Sequence, residues 1–228
     1  QGNVGQYTYN HECIRAEGCS CNPFKSDPTM ARRTKADALA TRHQLLDAAE
    51  CLFAEKGVSR TSLNDIALAA GASRGAIYWH FKNKADLFNA MMERTTLPME
   101  QALQQAGQEP GQDALAELQR SIADAMHRIA HDERTRRVFE VATLKVEYVD
   151  ELMAVRARHR RVQADNVLQI ERNLQVVLDQ RGLLLPLSVA TVAQGLYALL
   201  VGLIHSWLLA PETFALEAVA EASVRAYL

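Results

Sequence analysis

The chain has 228 residues, with 25 Lys+Arg against 27 Asp+Glu and a net charge of −2, a balance that by itself points to no nucleic-acid partner. Hydrophobic residues make up 48%, and glycine (11) and proline (6) are few, which fits an ordinary globular chain long enough for one large or two small domains. The most apolar run, Gly195 to Leu209, is broken by His205 and Ser206 and falls short of the roughly 18–20 apolar residues that span a bilayer, so no membrane partner is expected.

The spread of charge says more than its sum. Residues 31–96 carry 10 Lys+Arg against 7 Asp+Glu, whereas residues 97–228 carry 13 against 17. A basic segment joined to an acidic remainder is the asymmetry of a polyanion-binding part, although a surplus this small is equally available to chance. Ala, Leu, Glu, Gln and Arg dominate the middle and C-terminal parts, and these side chains lose little rotamer freedom in a helix, which predicts an all-α fold.

Residues 1–29 differ from the rest. They are rich in Gly, Asn, Cys, Ser and Pro and show no helical period, and Met30 opens the first helical stretch. They are expected to be a disordered tail or a non-native extension, with native translation starting near Met30. No apolar signal core occurs there, so a cytoplasmic location is expected. His11, Cys13, Cys19 and Cys21 lack the paired cysteine spacing of structural zinc sites, so neither a metal nor a cofactor is expected.

Between Asp37 and Lys56, Leu39, Leu45, Leu46, Ala49, Leu52 and Phe53 recur mainly at three- and four-residue steps, predicting an amphipathic helix ended by Gly57. Cys51 reads as a small buried hydrophobe on that helix. Thr61-Ser62 with Asp65 forms a capping box ahead of a short helix bearing Leu63, Ile66, Ala67 and Ala70. Gly71 turns the chain, Ser73 sits at the next N-cap, and a second short helix from Arg74 to His80 buries Ile77 and Phe81. Helix, short glycine turn, helix is the helix-turn-helix arrangement. Asn83 caps a further helix, on which Leu87, Met91 and Leu97 mark one face.

GASRG (71–75) also matches the G-x-S-x-G pattern of a hydrolase nucleophile elbow. An elbow needs a buried strand before the serine, and the preceding LNDIALAA has a helical period, so the enzyme reading fails on context. H-E-x-x-H, a phosphate-binding Walker loop and G-x-G-x-x-G are likewise missing. The second short helix instead offers a phosphate-facing N-terminus with Ser73 and Arg74 as added donors, Gly75 for close backbone approach, Ala76 beside it, and Tyr78, Trp79 and His80 on the remaining faces. Tyr78 and Trp79 have a competing structural role, packing against the first helix. With Arg32, Arg33, Lys35, Thr61 and Lys84, these residues form the expected DNA-binding set, Arg74 reading bases and the cations contacting phosphate.

Residues 41–91 resemble the DNA-binding domain of the TetR family of transcriptional repressors. The similarity rests on A-A-x-x-L-F in the first helix, K-G-V at its end, T-S-L-x-D-I-A, S-R-G-x-x-Y-x-H-F and N-K-x-x-L. MARRTKADALATR (30–42), RTRRVFEVATLKVEYVDEL (134–152) and GLIHSWLLAP (202–211) are similar to stretches of the multidrug-efflux repressors of the AcrR/TtgR kind. This resemblance implies a three-helix helix-turn-helix DNA-binding domain over residues 30–83. It also implies a helical ligand-binding and dimerisation domain over residues 84–228, a homodimer on a pseudo-palindromic double-stranded operator, a multidrug-efflux target and release by a small hydrophobic effector. A metabolic or catabolic operon with a small apolar metabolite as effector is the alternative within the family; a helical interaction module without DNA affinity is the alternative outside it.

Beyond the fourth helix, periodicity predicts helices over 112–130, 148–180, 189–209 and 214–227, with Gly182 and Pro186 as stops. Residues 189–209 are apolar almost all round, so that helix must be covered on two sides, one by its own core and one by a twin subunit. The resemblance also implies a cavity among the linker helix and the long helices of the C-terminal domain, for which the candidate lining residues are Met92, Thr96, Phe139, Thr143, Asn166, Ile170, Tyr197, Val201 and His205, each with plain core packing as the competing role.

Overall fold

The computed structural model describes residues 35–108, 112–147 and 152–228. Among these residues lie nine α-helices and no strand: α1 (Lys35–Lys56), α2 (Leu63–Ala69), α3 (Arg74–His80), α4 (Lys84–Gln105), α5 (Ala114–His131), α6 (Glu133–Leu144), α7 (Met153–Arg181), α8 (Val189–Leu209) and α9 (Leu216–Tyr227). The fold is all-α. Residues 1–29, with His11, Cys13, Cys19 and Cys21, lie outside the described residues, as do Arg32 and Arg33.

Local sequence chemistry sets the first four helices. Leu45, Leu46, Ala49 and Phe53 form the buried stripe of α1. Two expectations fail on this helix. Leu39 is exposed because no residue of 35–40 is buried. Cys51 is exposed as well; it lies two residues, about 200° around the helix, from both Ala49 and Phe53, and so faces away from the stripe. At α2 the capping box is complete: the Ser62 hydroxyl accepts from the Asp65 N–H, and the Asp65 carboxylate accepts from the Ser62 N–H. Gly71 takes φ +64°, where a side chain would be strained, and so lets α3 leave α2 at a sharp angle. The Asn83 side chain caps α4 by accepting from the Asp86 N–H at 2.8 Å. That helix continues through Pro98. Leu97 is exposed rather than sharing the face of Leu87 and Met91, because six residues past Met91 is about 240° of rotation.

The later helices follow the expected intervals, with one addition. Periodicity assigns no helix to the interval that α6 occupies. Its signals are Asp132, whose carboxylate accepts from the Arg134 N–H and the Thr135 hydroxyl, and buried Thr135, Val138 and Val141 at three-residue steps.

Two apolar clusters organise the molecule. The first joins α1 to α4 with Val138 and Val141 of α6 and with Leu152 and Val155. The second is built from α5, α7, α8 and α9 around Leu118, Met126, Leu174, Leu196 and Trp207. An ionic cluster centred on a buried carboxylate lies beside the first. Glu50 of α1 is only 3% exposed and pairs with Arg94 of α4 and Arg134 of α6, and both arginines also reach Asp47, at 3.0 and 2.5 Å. Removing a partner from such a charge is costly, so the cluster fixes where α1 meets α4 and α6. At its other end α6 is tied to the same region: the carbonyl of Lys145 accepts from the N–H of Val58.

Candidate nucleic-acid interface and ligand cavity

Helix α3 is seven residues long and is anchored from below. Ala76 and Ile77 are buried, and Phe81, at its C-cap, is held under the guanidinium of Arg42 at 5.2 Å. Ser73 caps its first turn by accepting from the Ala76 N–H at 3.1 Å. What remains faces outward. Ser73, Arg74, Gly75, Tyr78 and Trp79 are exposed, and His80 is half-buried. Trp79 is 73% exposed, with its ring set edge-to-face against that of His80 at 4.6 Å, so most of its surface faces solvent. The Arg74 guanidinium lies 5.9 Å from the Tyr78 ring, which keeps both on one side of the helix. Lys35, at the start of α1, is exposed.

Three residues of the expected DNA-binding set are placed otherwise. Lys84 is only 5% exposed, and its ammonium donates to the carbonyls of Ser59 and Thr61 at 3.2 and 3.1 Å. It fastens α4 to the loop before α2 rather than projecting a cation. Thr61 is buried, with its hydroxyl donated to the Gly57 carbonyl at 2.8 Å. Ala76 contributes its backbone to the cap and its methyl to the interior. Conversely, the sequence reading missed Arg60 and Lys82, exposed cations that border the same shallow depression as Ser62 and Tyr78. A basic residue beside an N-cap is the signal that would have found them. Asp65 balances this surface: hydrogen bonds from the Ser62 side chain and backbone outweigh desolvation and hold its carboxyl below the usual carboxylate range.

About two turns along α4 from its cap, the wall of a cavity begins. The cavity, about 220 Å³, lies among α4, α5, α6, α7 and α8. Seven of the nine expected pocket residues line it: Met92, Thr96, Phe139, Asn166, Ile170, Tyr197 and Val201. Thr143 and His205 do not, and both are exposed. Thr143 sits one turn past Phe139 near the end of α6. Val201 both lines the cavity and is 44% exposed on the outward face of α8, and His205, one turn further, shares only that outward face. The sequence reading missed the contribution of α5, where Ser121, Ile122, Ala125 and Met126 form a wall, and the polar groups Glu100, Arg158 and His159. Pattern alone cannot separate a helix face that meets a cavity from one that meets a neighbour, because both are apolar at the same period.

Inside this apolar space a few polar atoms stand out. The Thr96 hydroxyl and one carboxylate oxygen of Glu100 are buried without a hydrogen-bond partner. Burial pushes the Tyr197 phenol above its ordinary pKa, so it stays neutral.

Helix α8 presents a second outward surface. Val201 is 44% exposed and Leu209 61%, and Ala198, Gly202, His205 and Ser206 are exposed with them. No Asp, Glu, Lys or Arg occurs in the helix. By length and composition α8 is long and apolar enough to cross a membrane, the only such helix among the described residues, yet Ala193, Leu196, Leu200, Trp207 and Leu208 are buried in the second core.

Comparison with known proteins agrees with this architecture. Residues 45–91 match the family model described as bacterial regulatory proteins, tetR family. Residues 113–228 match that of the C-terminal region of MAATS-type transcriptional repressors. The HTH-type transcriptional repressor BepR of Brucella suis is 39% identical over 178 residues, covering 78% of this chain and 85% of its own. Among solved structures, NalD, the secondary repressor of the MexAB-OprM multidrug efflux pump in Pseudomonas aeruginosa, superposes with a TM-score of 0.77 at 34% identity, covering 84% of this chain and 96% of its own. A complex of SmeT with triclosan gives 0.74 at 31% identity over 82% and 90%. These relatives are transcriptional regulators, not enzymes, and the helix-turn-helix of α2 and α3 with the helical region behind it is their shared architecture. The chain belongs to the TetR family of bacterial transcriptional regulators.

Proposed function

We propose that this chain is a ligand-responsive repressor, acting in the cytoplasm on a multidrug-efflux operon. Residues 30–83 serve as its DNA-binding domain and residues 84–228 as its ligand-binding and dimerisation domain. The observation that carries this reading is that one helix serves both ends: α4 is capped by Asn83 directly after α3 and forms, through Met92, Thr96 and Glu100, a wall of the cavity. Efflux control is supported by NalD, a repressor of a multidrug efflux pump, among the similar structures.

In the DNA-bound state, the N-terminal end of α3 enters the major groove. Arg74 reads a base edge, Ser73, Gly75 and Tyr78 contact the backbone, and Trp79 and His80 flank them. Arg60 and Lys82 take the phosphate role expected of Lys84, and Lys35, Arg32 and Arg33 extend it along the duplex. Two chains pair through the uncharged face of α8, with His205 in the seam. Two recognition helices about 34–36 Å apart then read successive major grooves of a pseudo-palindrome.

The effector is a hydrophobic, drug-like molecule. Apolar walls select it by area, and the unpartnered Thr96 hydroxyl and Glu100 carboxylate select for a donor or cationic group on it. Filling the cavity displaces α4 and Phe139 of α6. Both helices hold α1 through the Glu50 cluster, and α6 also holds the loop at Val58. A ligand acts only through its differential affinity for the two arrangements; a hundredfold preference supplies about 2.7 kcal/mol, enough to empty an operator held with modest surplus.

The test is an anisotropy titration of labelled duplex from upstream of the gene, with and without an apolar aromatic compound carrying a basic nitrogen. Release from the duplex, matched by equally weakened compound binding when the duplex is present, is expected from linkage. Compound binding that leaves operator affinity unchanged would contradict the reading.

A further inference from the structure

A side-chain cluster that belongs to neither the cavity lining nor α3 has the composition of a metal site. His127 and His131 lie four residues apart on one face of α5, with ring centroids 4.6 Å apart. Facing them is Glu217, in the first turn of α9. The Nδ1 of His127 lies 3.2 Å from one carboxylate oxygen of Glu217, and the Nε2 of His131 meets the other. The three side chains can each offer one ligand atom, all within 4.8 Å of one another. Around a tetrahedral zinc ion with bonds of 2.0–2.1 Å, ligand atoms stand about 3.4 Å apart, so the cluster needs little contraction to close on an ion.

The backbone on both sides is held in place. Met126 and Ile129 of α5 are buried in the second core, and so are Leu216, Ala220 and Val224 of α9. The ligand-bearing turns therefore stay fixed while the imidazoles and the carboxylate, all partly or largely exposed, remain free to adjust. Preorganisation of this kind lowers the entropic cost of collecting three ligands.

We propose that His127, His131 and Glu217 bind one first-row divalent transition ion of the zinc and nickel class, clipping α5 to α9. Two neutral imidazoles and one carboxylate suit that class, whereas magnesium and calcium require all-oxygen shells. The fourth position faces solvent and takes water. None of the three residues lines the cavity or lies in α3.

The experiment uses the full chain stripped of metal with a chelator. Zinc and nickel salts are titrated by equilibrium dialysis, thermal unfolding is followed in parallel, and magnesium serves as the control ion. Because the chain's four cysteines offer zinc other ligands, binding is read as the difference between the wild type and a His127→Gln/His131→Gln variant. The wild type should bind one more ion per chain than the variant and gain several degrees in Tm with zinc but none with magnesium. Glu217→Gln should weaken the same ion at least tenfold. All three positions are exposed or partly so, and unchanged Tm of the metal-free variants shows that they fold. Equal ion counts and affinities in the wild type and the double variant would overturn the proposal.

Discussion

Helices α3 and α8 both turn large side chains to solvent, and they do so with opposite chemistry. In α3 the exposed set mixes an arginine, a capping serine, a tyrosine and a tryptophan around the first turn of the helix. Along α8 the outward face carries Ala198, Val201, Gly202, His205 and Leu209 with no charged side chain in the whole helix. A surface of the first kind is complementary to a polyanion, because its donors and dipole face outward and its aromatics tolerate water. One of the second kind is complementary to another apolar surface, and a second copy of the same helix satisfies it by symmetry. Exposure of apolar groups therefore carries little meaning until the charge beside them is counted.

The largest expected effect falls on the Glu50 cluster, which joins α1 to α4 and α6. Arg94→Ala leaves Glu50 buried with Arg134 as its remaining partner, and should cost about 3 kcal/mol, the lower end for a broken buried pair, measured by urea unfolding. A loss below about 1 kcal/mol would show that the cluster is not what fixes α1 against α4. The α8 face is tested by Gly202→Asp. Nothing lies within 4 Å of an added Cβ there, so the subunit keeps its fold while a charge enters the proposed seam. Sedimentation equilibrium should show dimerisation weakened at least about a hundredfold, near 2.7 kcal/mol; an unaltered association constant would move the seam elsewhere. On α3, Arg74→Ala should reduce preference for the operator over unrelated duplex by about 1–3 kcal/mol, with less effect on non-specific affinity. Equal loss on both duplexes would remove Arg74 from base reading. The smallest effect sharpens the phosphate assignment. Lys82→Ala should flatten the slope of log affinity against log salt by about one unit, whereas Lys84→Ala should leave that slope alone and lower stability, since its ammonium serves the Ser59 and Thr61 carbonyls. A changed slope for Lys84 alone would reverse the correction.

Much of α3 was legible because its determinants are local. Ser62 with Asp65, Gly71, Ser73 and Asn83 each act within four residues, and each stands where the pattern placed it. Ile77 and Phe81 followed from the one-turn spacing. Lys84 and Thr61 were misread because their partners are the carbonyls of a loop whose path depends on how α2 meets α4. The same limit held farther along. Seven cavity residues follow from where the resembled family carries its cavity, yet Thr143 and His205 fall outside and the α5 wall is missed, since a cavity is a property of how five helices meet rather than of any one period. Helix α6 was obscured because charged residues fill its first turns, and its buried positions number only Thr135, Val138 and Val141.

On the proposed reading, pairs of α3, joined through α8, read a specific duplex. Sedimentation velocity of the purified protein with a fluorescent duplex from its own upstream region tests it most directly. The expected result is one discrete complex holding two chains per half-site pair, competed by the same unlabelled sequence at a concentration about a thousandfold below that needed of a scrambled one. A monomer that sediments apart from the duplex, or a complex dispersed equally well by either competitor, would contradict it.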